Sequence, residues 1–342
     1  MNVKNITTAL LFVAIFTLCV FSTPVDVNAV NTDIVVSTTP RIPGPNEKVF
    51  VNLISYGVDL DRSDISWYKD GELVLSGQGE TQYSFIMKGL GLQTNFNIYI
   101  QSGGLKQTQI SKTFVSSVVD LLWEATQSYT PPFYKGKALP ASQERIRVIA
   151  VPNVTSVGGV KSNPNNLIYK WKKNGKYRDF NNQSGYNKKS VVFTQDLFNT
   201  EELVVVEVSS NNWDVSAEGR VGIERTQPEI QIYHDNPLEG VVYESVLSKD
   251  FLMENKEIGV VAEPYYFSTY NKDFGDIIFN WRVDNKKIEV GESNMVFGFE
   301  KDSVGSSNMS LDMTHVNNIL QSAKTSFKLK YGETESFFNT FF

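Results

Sequence analysis

The chain has 342 residues, a net charge of −6, 41% hydrophobic residues and one cysteine. The mild acidic balance, with no basic stripe, argues against nucleic acid as a partner. One cysteine cannot build a disulfide framework, and the chain holds no GxSxG, HExxH, Walker or GxGxxG pattern, so no nucleophile, zinc or nucleotide signature points to an enzyme.

Residues 1–29 read as a signal peptide. Lys4 supplies the basic start, Ile6 to Phe21 the apolar stretch, and Val27-Asn28-Ala29 the small residues before a cleavage point. An uncleaved N-terminal anchor is the other reading. Cys19 lies inside the apolar stretch with Leu18 before it, which does not suit lipidation, so the mature part has no cysteine and must be held by ordinary cores. Export is expected, with the membrane touched only through this segment. About 310 remaining residues suggest two to three domains.

Beyond the signal, one block recurs three times: DISWYKDGELV (Asp64 to Val74), NLIYKWKKNGKY (Asn166 to Tyr177) and DIIFNWRVDNKKI (Asp276 to Ile288). An apolar run leads into Trp67, Trp171 or Trp281, and a turn follows three residues later. The tryptophans are 104 and 110 residues apart, a period that matches one β-sandwich rather than a solenoid repeat. In chain order, each module opens with a strand (from Asp33, Asp120 and Glu229) and passes through a proline-containing turn. A second alternating strand follows (Lys48 to Ser55, Arg145 to Pro152, Glu257 to Pro264), then the tryptophan strand and two more, which in the third module read SLDMTHVNN (from Ser310) and AKTSFKLKY (Ala323 to Tyr331). The fold class is all-β: three tandem Ig-like sandwiches over 30–117, 118–226 and 227–332, an apolar tail over 333–342, and short linkers near 116–119 and 225–228. Each tryptophan is expected in the core of its own sandwich.

Residues 127–141 (QSYTPPFYKGKALPA) interrupt the second module, as Asn236 to Phe251 interrupt the third. They read either as a bulged edge packed on the neighbouring module or as a proline-aromatic partner surface carried by Pro131, Pro132, Phe133 and Tyr134. Trp213, in a hairpin turn, and Phe337, Phe338, Phe341 and Phe342, in the tail, are further partner-surface candidates. Trp123 is expected at a module junction. Asp59, Asp61 and Asp64 in the first module, with Asp273 and Asp276 in the third, form oxygen-rich loops before the tryptophan strands. Such loops suit calcium, or else cap the start of the strand through their own side chains. No other cofactor is expected. The two histidines, His234 and His315, read as exposed strand residues.

The blocks DISWYKDG and DIIFNWRVD sit where PKD-type and related Ig-like domains of bacterial surface proteins carry their tryptophan strand, though the Trp-x-Phe-Gly-Asp-Gly run often seen there is absent. SYTPPFYKGKALP, RVIAVP, NPLEGVVYE and VVAEPYYFS resemble secreted proteins of Parcubacteria, some encoded near type IV pilus genes. That resemblance implies an exported, non-enzymatic envelope protein: a spacer, adhesin or pilus-associated scaffold with protein or glycan partners at the cell surface. A carbohydrate-binding module array is the second reading, and a hydrolase hidden in a sandwich the third.

Overall fold

The computed structural model describes residues 34–103, 107–212, 214–289, 291–300 and 303–332. The segment read as a signal peptide, the tail and Trp213 lie outside the described residues. The chain separates into two compact units. Described residues of the first fall within Met1–Arg41, Phe50–Phe85 and Asn95–Lys112, and those of the second within Ile42–Val49, Ile86–Thr94 and Thr113–Phe342.

The first sandwich is built from β1 (Ile34–Thr39), β2 (Lys48–Ser55), β3 (Asp64–Lys69), β4 (Glu72–Gln78), β5 (Gln82–Ile86), β6 (Gln93–Gln101) and β7 (Thr108–Val115). They form a sheet β1-β2-β5 and a sheet β4-β3-β6-β7. Alternation decides which residues face inward: in β2, Val49, Val51 and Leu53 are buried while Phe50 and Ile54 are exposed.

The second compact unit holds two sandwiches. One comprises β8 (Val118–Ala125), β9 (Arg145–Asn153), β10 (Ile168–Lys173), β11 (Gly185–Tyr186), β12 (Ser190–Thr194), β13 (Glu201–Ser209) and β14 (Ser216–Glu224). It repeats the three-plus-four arrangement, β12-β9-β8 against β11-β10-β13-β14. The other comprises β15 (Glu229–Asn236), β16 (Gly240–Val241), β17 (Asp250–Leu252), β18 (Glu257–Tyr265), β19 (Ile277–Val283), β20 (Lys286–Lys287), β21 (Asn294–Gly298), β22 (Gly305–His315) and β23 (Ser322–Tyr331). Its sheets run β16-β15-β18-β21 and β17-β23-β22-β19-β20. The interrupting segment of this module crosses from one sheet to the other: β16 pairs back on β15, and β17 then pairs parallel with β23 at Asp250↔Lys328. That covers an edge that would otherwise present unpaired backbone. All three modules are Ig-like antiparallel sandwiches.

Each tryptophan sits in the same socket. Trp67, Trp171 and Trp281 are all 0% exposed. Each indole N–H donates to a backbone carbonyl on the chain leading into the opposite sheet: Glu80 at 2.8 Å, Lys188 at 2.8 Å and Glu292 at 2.9 Å. A buried indole needs that acceptor, because an unpaired N–H in an apolar core loses its hydration without compensation. Trp171 and Trp281 each centre a separate apolar cluster, and Trp67 packs on Tyr83 and edge-on to Phe96.

The turn after each tryptophan is also one device used three times. Asp70, Asn174 and Asp284 adopt positive φ (52°, 49° and 47°). Their backbone N–H groups donate to Asn95, Leu203 and Asn308 carbonyls, and their side-chain Oδ1 atoms accept the N–H of those same residues at 3.0, 2.8 and 2.8 Å. Asp and Asn tolerate the left-handed region better than other side chains and carry the needed acceptor.

Candidate functional site

The segment that interrupts the second sandwich is docked on the third. Its prolines hold Ser128 to Pro132 away from the β8–β9 sheet, leaving main-chain groups to pair elsewhere. Tyr129 N–H donates to the Phe267 carbonyl at 2.8 Å, Tyr266 N–H donates to Tyr129 at 3.3 Å, and Ser128 bridges Ser268 in antiparallel register. Two short stretches from different sandwiches thus form a small piece of sheet.

Behind it lies a buried polar network. Glu144 and Gln321 are 0% exposed and His315 is 5% exposed. Ser268 is the centre: its hydroxyl donates to Glu144 Oε2 and accepts from Gln321 Nε2 at 2.7 Å. The Ser268 N–H donates to Gln321 Oε1 at 2.8 Å, and its carbonyl accepts from His315 Nε2 at 2.9 Å. Gln321 Nε2 also reaches the Ser142 carbonyl at 2.5 Å, and Glu144 Oε1 accepts the Gln127 N–H at 2.8 Å. The His315 tautomer follows from the network: Nδ1 accepts the N–H of both Asn317 and Asn318 at 3.0 Å, so the proton lies on Nε2. Ser142 Oγ, also buried, has no partner among the described residues. Burial pushes the Glu144 carboxyl above the usual glutamate range, opposed in part by the bonds from Ser268, Gln127 and Arg145.

A second buried acid, Glu263, is 0% exposed. It accepts from Tyr129 OH at 2.9 Å, Tyr243 OH at 3.0 Å and Lys272 Nζ at 2.8 Å. Burial, then the Glu263 charge, pushes the Tyr129 and Tyr243 phenols far up, so both stay protonated donors. Tyr266 is raised to about 12 by burial and its bond with Tyr134. Two aromatic residues here, Phe133 and Tyr266, hold positive φ of 63° and 64°, a conformation that bulky side chains adopt only when the surroundings dictate it.

Chemically, the network joins rather than reacts. Serine, histidine and glutamate meet, but His315 faces the Ser268 carbonyl and not its hydroxyl, so the imidazole cannot take the hydroxyl proton as a general base. Each acid is closed off by protein donors.

This geometry bears on several expectations. Pro131 is buried and Tyr134 half-buried, its ring edge-on to Tyr265 and Tyr266 at 5.7 and 6.3 Å and its hydroxyl 3.0 Å from that of Tyr266. The chain's own third sandwich therefore covers part of the proline-aromatic surface, at Pro131 and Tyr134, which is the packed-edge reading that the sequence left open. Pro132 and Phe133 remain exposed, with the Phe133 ring 5.7 Å from Tyr243. His315 is buried, contrary to its reading as an exposed strand residue; it continues the inward alternation of Leu311 and Met313, and the polar network receives it there. Trp123 packs against the second sandwich's own core, below Lys137 Nζ at 3.1 Å.

The acidic loops do not converge. Among the described residues no three histidine, cysteine or acidic side chains gather to hold a metal ion. Asp59 pairs with Arg62 at 3.6 Å, and Asp61 and Asp64 are exposed. Asp273 accepts from Ser293 Oγ at 2.6 Å and Asp276 from Thr269 Oγ1 at 2.9 Å. In the third module Asp276 thus bonds within its own loop, the alternative that the sequence left open, while Asp273 ties that loop to Ser293, just before β21. No helix among the described residues is long and apolar enough to cross a membrane.

No protein-family model matches the chain, and no curated protein matches it. Among solved structures, the three N-terminal domains of the bacteriophage RB49 highly immunogenic outer capsid protein (Hoc) are 12% identical, with 89% of this chain and 99% of that one covered and a TM-score of 0.22. The fibronectin(III)-like modules of Clostridium thermocellum CbhA are 9% identical over 56% and 95%, TM-score 0.25. SGBP-B of the Bacteroides ovatus mixed-linkage glucan utilization locus, solved with a mixed-linkage heptasaccharide, is 11% identical over 84% and 64%, TM-score 0.20. Similarity at this level carries no argument about function, and the sheet topology alone establishes the fold.

Proposed function

We propose that the protein is an exported, non-enzymatic scaffold of a bacterial envelope, whose second and third sandwiches act as one rigid spacer. The joint around Ser268 is the observation that carries this reading. A polar network this buried is costly unless its geometry is met, so it favours one arrangement of the two sandwiches over a hinged series. Rigidity of that kind serves reach and presentation. Export rests on the signal pattern in residues 1–29, and the lack of an enzymatic role on the absence of a catalytic motif in the sequence and the closed partners of Glu144, Glu263 and His315.

Immunogold labelling of native cells, with an antibody raised against the full chain, tests the placement. Label on the envelope is expected; label confined to the cytoplasm would overturn the proposal.

A further inference from the structure

The outward face of the sheet β4-β3-β6-β7 differs in kind from the matching faces of the other two sandwiches. Register makes the comparison strict. Counted from each tryptophan, Tyr68 corresponds to Lys172 and Arg282, and Tyr99 to Glu207 and Asp312. In the second sandwich those positions are an ion pair, Lys172 Nζ to Glu207 Oε1 at 2.5 Å, with Tyr177 OH donating to the same oxygen at 3.0 Å. In the third they are again an ion pair, Arg282 with Asp312, joined by Lys324 at 3.3 Å. In the first they are two tyrosines, ring centroids 5.5 Å apart and edge-to-face at 87°.

A depression of about 490 Å³ opens on this face, lined by Ser66, Tyr68, Gly71, Asn97, Tyr99 and Gln107. None of the six is charged. Ser111 Oγ donates to Asn97 Oδ1 at 2.7 Å, which fixes the amide, and the Ser66 and Ser76 hydroxyls bond at 2.8 Å. Gly71, at φ 92°, brings bare backbone to the rim.

We propose that this depression binds a neutral polysaccharide. Sugar rings present apolar C–H faces that pack on aromatic side chains, and their hydroxyls need amides and hydroxyls as partners; the six residues supply both. The charge pattern selects the ligand class. An anionic glycan requires cations, and none lines the depression among the described residues, whereas an uncharged wall suits an uncharged chain. The matching faces of the second and third sandwiches are closed by their ion pairs, so the site belongs to the first sandwich alone. It stands independently of the spacer proposal.

Affinity electrophoresis of the full chain tests the site, with the gel containing in turn a β-glucan, a xylan, a galactomannan, starch or polygalacturonate. At least one neutral polysaccharide is expected to retard the protein. Tyr68→Ala and Tyr99→Ala should each weaken that retardation about tenfold with little change in melting temperature, since both rings lie on a sheet face rather than in the core. Lys172→Ala, at the equivalent position of the second sandwich, should leave it unchanged. Retardation by none of the neutral polymers, by polygalacturonate alone, or to the same degree in the Tyr68→Ala/Tyr99→Ala double variant would each overturn the site.

Discussion

Around Trp67, Trp171 and Trp281 the three sandwiches use the same atoms for the same purpose: a buried indole, a carbonyl acceptor, and an Asp or Asn turn that clamps a neighbouring strand. At the joint between the second and third sandwiches the partners are far apart in sequence, as with Ser142 and Gln321, and form a single network. The sockets are therefore a property of the fold, repeated because each module must make its own core. The joint distinguishes this chain from a loose string of such modules. A change in a socket should unfold one module, and a change in the joint should uncouple two folded ones.

The largest effect is expected from the sockets. Trp281→Ala should cost about 3–5 kcal/mol, as for other large-to-small core changes, read by denaturant melts of the full chain. Loss of the third sandwich with the first left folded is the expected pattern; a cost below about 1 kcal/mol would deny the socket its role. Gln321→Ala comes next. It strands the buried Ser142 carbonyl and the partly buried Ser268 N–H, at about 1–3 kcal/mol. Exchange of the Ser268 amide hydrogen should accelerate while amides in β10 and β19 stay protected.

Smaller effects sharpen the turn device. Asp284→Gly keeps the positive φ but loses the bond to the Asn308 N–H, at about 1 kcal/mol. Asp284→Ala should cost roughly 1–2 kcal/mol more, because alanine resists the left-handed region. Equal losses would show that conformation is not what the turn selects.

The smallest effect is the pH dependence of the joint. Burial raises Glu144, so its folded form holds a proton more readily than the unfolded chain does. Its contribution is fully present below the ordinary glutamate value and is lost as pH rises through the raised one. Asp312 has the opposite slope. Partial burial pushes its carboxyl up, but bonds from Arg282 and Lys324 outweigh this and hold it below the usual range, so its contribution is lost as pH falls. Glu144→Gln should remove the first slope, measured as the difference between variant and wild-type melting temperatures across mildly acidic to neutral pH, and leave the second, which lies at more acidic pH. No difference in slope would mean that Glu144 does not titrate within the joint.

Much of the fold was legible because alternation and turns are local signals. The strand read at Lys48 to Ser55 matches β2, and the one at Ala323 to Tyr331 matches β23 to one residue. Where the pattern lacked apolar contrast, reading stopped short: β22 starts at Gly305, five residues before the expected Ser310, because GSSNM carries mostly small polar side chains. The three-residue parallel strand β17 had no signal of its own. At the site, QSYTPPFYKGKALPA stood out by composition, yet its destination did not, since the side-chain bonds that receive it span 132 to 134 residues and join Tyr129 and Tyr134 to Glu263 and Tyr266 without any period. Tyr68 and Tyr99 lay inside strands that had been read, but their diagonal pairing required the register.

Electron-electron spin resonance distances test the rigid joint most directly. Cys19 is replaced by serine, and spin labels are placed on cysteines at exposed Leu122 in the second sandwich and exposed Val296 in the third. The full chain should give one narrow distance distribution, broadening when Ser268→Ala and Gln321→Ala are combined. A broad or multimodal distribution in the otherwise unaltered chain, or one that the double variant leaves unchanged, would contradict the account.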